Sequence, residues 1–242
     1  MVIHIDLVTQ ISTIGNQNKM NTVYIFGDSF ADSSSSKYAW PNRLKENYTV
    51  KNYALGGTGP DWSLKNFLKI VDEVHPENSY CIFCISDIAR ISLKFMEPKT
   101  AHLVRFYFGN KTIRHPNLKT HESKLEKYEA YNSFLYKLNK NYLSYSTFYA
   151  TEFLKIILFI KFYSDSFKKT LIFPCFDELS TQQLIRLNTN KNFYVHNKPL
   201  NEYSEESLNP YHNPYGDTRI NHMIESQHTE FYNIIINLLK SN

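Results

Sequence analysis

The chain has 242 residues, 42% of them hydrophobic and 21% charged, with a formal net charge of +4. That is enough apolar material for one large core, and the composition excludes a disordered or fibrous chain. Lys and Arg are scattered without an Arg-rich block, so the basic footprint of a nucleic-acid binder is missing.

Residues 1–19 read as a loose extension, because Met20 followed by Asn-Thr-Val-Tyr-Ile-Phe has the look of a second start. The expected organisation is one α/β domain over 20–242 with a helical insertion at about 93–168. The first twenty residues lack a basic start followed by an unbroken apolar core, so no secretory signal is expected.

The first element is the run Thr22-Val-Tyr-Ile-Phe, a buried-strand pattern that leads straight into Gly27-Asp28-Ser29-Phe30. Gly27 lets the chain leave the sheet abruptly, which puts Ser29 at the carboxyl edge, where open α/β sheets bind ligands. Two readings of this turn stand side by side: Ser29 as a nucleophile, or Asp28 or Ser29 as the cap of the next helix. Ala39 to Asn47 reads as that helix, and Tyr48 to Ala54 as an alternating strand that ends in Leu-Gly-Gly-Thr-Gly. Asp61 to Val74 has apolar residues at near-helical spacing and stops before His75-Pro76.

Ser79 to Ser86 is the most hydrophobic strand candidate. It contains Cys81 and Cys84, whose CxxC spacing suggests a metal or redox pair. Residues three apart in a strand face opposite ways, so these read as two buried thiols, and Cys175 as a third. His102, His115 and His121 lack metal-ligand spacing. No cofactor or metal is expected.

The middle breaks the rhythm. Glu122 to Phe167 reads as two helices joined near Ser144, forming a helical layer, a lid or a surface for a protein partner. Its most apolar part, Phe153 to Tyr163, is too short and carries too many lysines to span a bilayer. Strand pattern returns at Lys168-Lys-Thr-Leu-Ile-Phe-Pro-Cys and at Asn192 to His196; Tyr203 to Asp217 reads as a loop, and Asn221 to Leu239 as a closing helix with His222 in its first turn. Strands alternating with helices point to a mostly parallel five-stranded sheet covered on both faces.

Gly-Asp-Ser-Phe near the start, Gly-Gly-Thr-Gly after the second strand and Asp217-x-Arg-x-Asn-His222-Met near the end together resemble the SGNH hydrolases, the GDSL esterase family. The resemblance covers most of Thr22 to Leu239 in motif order. It implies a three-layer α/β/α, flavodoxin-like fold and ester hydrolysis through a serine. Ser29 matches the nucleophile, Gly57 the glycine whose N–H faces the oxyanion, and His222 the base. Gly56 and Gly59 are equally consistent with a plain turn.

Two positions depart from the family pattern. Its third motif falls on Cys84-Ile-Ser-Asp, so Ser86 stands where an oxyanion asparagine is expected, with Arg90 on the same loop as a possible replacement. The acid expected three residues before the base is Arg219 here; Asp217 is the nearest carboxylate, Glu225 with His228 is an alternative pair, and a Ser–His dyad is a third arrangement. The implied substrate is a small acyl ester, for example an O-acetyl group on a carbohydrate. The alternative is a catalytically weakened binding or virion protein on the same fold. The Lys, Asn and Ile bias with Ser86-Asp-Ile-Ala-Arg and Asp217-to-Met223 is similar to family members encoded by bacteriophages. A cytoplasmic or virion-associated location follows as an expectation.

Overall fold

The computed structural model describes residues 21–34, 36–56, 58–86, 88, 145–175, 186–188, 191–203 and 223–241. In chain order these contain β1 (Thr22–Phe26), α1 (Trp40–Leu44), β2 (Thr49–Asn52), α2 (Pro60–Ile70), β3 (Ser79–Ile85), α3 (Tyr145–Phe162), β4 (Lys169–Pro174), β5 (Phe193–Val195) and α4 (Glu225–Lys240). The strands form one sheet in the order β2-β1-β3-β4-β5, and every neighbouring pair is parallel.

The order explains the layers. The chain steps from β1 outward to β2, then reverses past β1 to β3, and right-handed crossovers must place helices on opposite faces when the direction reverses. Accordingly α1 and α4 pack on one face of the sheet, through Trp40, Leu44, Phe231, Ile235 and Leu239 against Val23, Ile25, Ile82 and Phe173. The other face holds α2 and α3, with Phe67, Phe153, Ile157 and Ile160 packed against Tyr24, Phe26, Phe83 and Ile172. This is a three-layer α/β fold in which alternate strand residues feed the two cores. Cys81 belongs to one core and Cys84 to the other, so the CxxC thiols are separated by the sheet itself. All three cysteines are buried.

Several elements differ from their sequence outlines. α1 ends at Leu44, short of Asn47, because the chain tightens there into i to i+3 bonds, Glu46 N to Arg43 O and Asn47 N to Leu44 O. α2 gives way at Val71 to a 3-10 turn for the rest of the expected helix. The closing helix begins at Glu225, not Asn221. Ile224 is extended, with φ −83° and ψ 173°, and its N–H donates to the Gln227 side chain at 2.8 Å, which fixes the first turn there. Met223 and Ile224 therefore precede the helix. In the middle, α3 occupies the place of the second expected helix; the first lies outside the described residues.

Candidate active site

The strand order reverses between β1 and β3, and the carboxyl edge at such a reversal is the place where such sheets bind ligands. Gly27 leaves β1 at this point, and it has no room for a side chain: a Cβ there would lie 2.8 Å from the Cys84 Cβ and 3.1 Å from that of Ala31. Glycine is what lets β1 run this close to β3 and turn at once. Two residues on, Ser29 is partly buried at the edge. Among the described residues, no group forms a hydrogen bond with its hydroxyl.

The loop around Ser29 is held by a set of side chains. Asp28 is fully buried. Its Oδ1 accepts the Phe30 N–H at 3.1 Å, an Asx turn across the serine, and the Cys175 thiol approaches the same oxygen at 3.7 Å. Its Oδ2 accepts the Ser86 hydroxyl at 2.8 Å. Asp28 does not cap the next helix, whose N-cap is Ala39 with no side-chain cap. The Trp40 indole donates to Phe30 O at 2.8 Å, and the Asn52 amide to Ala31 O at 2.8 Å.

Asp32 binds the neighbouring turn. Its Oδ2 accepts the Gly56 N–H at 2.8 Å, while Oδ1 accepts the backbone N–H and the hydroxyl of Ser34. Gly56 is thereby set against the serine: a Cβ on it would be 3.8 Å from the Ser29 Cβ. The turn at Gly56 and the Gly-Asp-Ser-Phe turn thus meet. Thr58 closes the turn by donating to Leu55 O at 2.7 Å.

Ser86 follows β3 and is buried, with its hydroxyl directed to Asp28. A serine hydroxyl has one proton to donate, so in this arrangement it is committed to the carboxylate. Burial, and secondarily the Asp28 charge, hold the Cys84 thiol well above its usual pKa. Gly57, Arg90, Asp217 and His222 lie outside the described residues. Met223, next in sequence after His222, is buried in the core that also contains Phe30 and Ala31. Of the alternative acid and base, Glu225 faces Arg43 at 3.6 Å and His228 is buried on α4.

A second polar cluster sits beyond β5. The His196 ring lies between two phenols, Tyr194 Oη at 3.0 Å from Nδ1 and Tyr203 Oη at 3.0 Å from Nε2. Burial, with Lys198 nearby, lowers the pKa of His196 to about 4, so the ring is neutral, one nitrogen donating and the other accepting. Burial likewise pushes Tyr203 up to about 12. The sequence reading passed over this cluster, yet Tyr194 on β5 and His196, whose N–H carries the ladder on to Ile172 O just past it, are two apart and so share a side.

Among the described residues no group of three His, Cys, Asp or Glu side chains could hold a metal ion, and no helix is long and apolar enough to cross a membrane. No family model matches the chain, and no curated protein matches it.

Proposed function

We propose that the protein is a serine hydrolase of the SGNH type, acting on a small acyl ester such as an O-acetylated carbohydrate. The observation that carries this reading is the setting of Ser29: the residue follows β1 at the β1/β3 switch point, its Cβ beside Gly56 of the glycine-rich turn. A serine is a weak nucleophile until a base removes its proton, and the tetrahedral intermediate needs donors already in place. His222 as base, Asp217 as its partner, and the N–H groups of Ser29 and Gly57 as donors take these roles from the motif. Gly56 is not a candidate donor, since its N–H is held by Asp32. Arg90 is the remaining motif-derived candidate for the missing asparagine.

The test is hydrolysis of short p-nitrophenyl esters by the wild type and by Ser29→Ala. The expected loss in kcat is about 1000-fold or more, as for other removed nucleophiles. Equal rates in the two proteins reject the serine mechanism.

A second reading, a binding or virion structural protein on the same fold, draws on the Ser86 hydroxyl being turned to Asp28. It also draws on an apolar stripe along α3, Leu154, Leu158 and Phe162, which is exposed and spaced every four residues. A fluorophosphonate that labels the wild type and not Ser29→Ala counts against it.

A further inference from the structure

We infer that Ser86 is a positioning residue for the nucleophile loop and not a donor to the oxyanion. This rests on the hydrolase reading for its kinetic consequence, and on geometry alone for its structural one. The Ser29 turn is flanked by two carboxylates that hold it from opposite sides of the switch point. Asp32 ties it to the end of β2 through Gly56 N–H. Asp28 ties it to the ends of β3 and β4 through the Ser86 hydroxyl and the Cys175 thiol.

The Asp28 tie also meets the peptide that follows the serine. Asp28 Oδ1 accepts the Phe30 N–H, so one carboxylate spans Ser29 and fixes the direction of its Cα–Cβ bond. The hydrogen bond from Ser86 to Oδ2 stops that carboxylate from rotating, and it is charge-assisted within a buried site. An asparagine at position 86 would have an amide reach long enough for an oxyanion. Serine has a short reach, and its proton faces the other way. The substitution converts an electrostatic donor into a strut.

The consequence is read with the full-length protein and the variants Ser86→Ala, Ser86→Thr and Ser86→Cys. Three quantities are measured: amide hydrogen exchange at Phe30, the rate of fluorophosphonate labelling of Ser29, and kcat and KM for p-nitrophenyl acetate. In Ser86→Ala, Phe30 exchange accelerates and labelling and kcat fall, each by about ten- to a hundredfold, the range expected for one lost hydrogen bond to a charged group. KM stays near its wild-type value, and Ser86→Thr restores all three. Ser86→Cys, a near-isosteric weak donor, gives intermediate values and serves if the alanine variant fails to fold. A loss of about 100- to 1000-fold in kcat with Phe30 exchange unchanged would identify an oxyanion donor and overturn the inference. So would wild-type behaviour of Ser86→Ala in all three measurements. If the wild type neither labels nor turns over ester, the hydrolase reading fails by itself, and Phe30 exchange still decides the strut.

Discussion

At the scale of single residues, His196 shows how a buried histidine is kept neutral. Burial strips a charged imidazolium of its hydration, and the nearby Lys198 charge adds repulsion, so the neutral ring is favoured. With its folded pKa lowered to about 4 against 6.5 for a free imidazole, the unfolded chain binds more protons between those values. The His196 contribution is therefore fully present above pH 6.5 and is lost as pH falls toward 4. The slope from this one group is at most about 1.4 kcal/mol per pH unit, softened by the solvent that still reaches the ring. Urea midpoints taken from pH 7 to pH 4.5 should fall in the wild type, and His196→Gln should flatten that part of the curve. An unchanged slope in the variant would place the acid sensitivity elsewhere.

Among the elements, α4 is joined to the sheet by an uncommon fastening. Lys169 opens β4 and is buried; its ammonium donates to Leu238 O at 2.8 Å, Ser241 O at 2.7 Å and Ser241 Oγ at 2.8 Å. Two of the three acceptors are carbonyls at the end of α4, where a helix leaves its last carbonyls without partners of its own, and a cation there also meets the negative end of the helix dipole. Lys169→Met keeps much of the volume and removes all three bonds. We expect a loss of about 1.5–3 kcal/mol, the usual worth of hydrogen bonds to a charged group, measured by urea unfolding. A change below about 0.5 kcal/mol would mean that the terminus finds other donors. At the β5 edge, the Asn188 side chain bonds both the N–H and the C=O of Val195, standing in for a sixth strand.

For the molecule as a whole, one sheet is shared by two cores that do not touch. Phe67 packs on Phe26, Phe83 and Phe167 on one face; Phe231 packs on Trp40, Phe173 and Tyr203 on the other. Because the partner sets are disjoint, Phe67→Leu and Phe231→Leu should act independently, their unfolding free energies summing to within about 0.5 kcal/mol in the double variant. A larger coupling would show that the sheet transmits strain between its faces. The same layering accounts for what the sequence made legible. β-branched and aromatic runs such as Thr22–Phe26 and Ser79–Ile85 carry their strand character locally. So does the opposition of Cys81 and Cys84 across the sheet. The start of α4 did not show, because it depends on the Gln227 side chain capping Ile224, a bond that periodicity does not register. Ser86 was visible as a departure from a motif, but its partner Asp28 is 58 residues away and only the fold brings them together.

Of the tethers of the Ser29 loop, those from Asp28 to Ser86 and Cys175 span 58 and 147 residues, and three others are short. Trp40 to Phe30, Asn52 to Ala31 and Gly56 to Asp32 close intervals of 10, 21 and 24 residues, within the first two strands and their connections. Short intervals carry a small closure entropy, so these bonds re-form readily after a local opening. The end of α4 is held by a longer reach, from Lys169 over 72 residues to Ser241. Fraying at the β5 side of the sheet therefore reaches the Ser29 turn only through its long ties to Ser86 and Cys175, while the three short ties go on holding it.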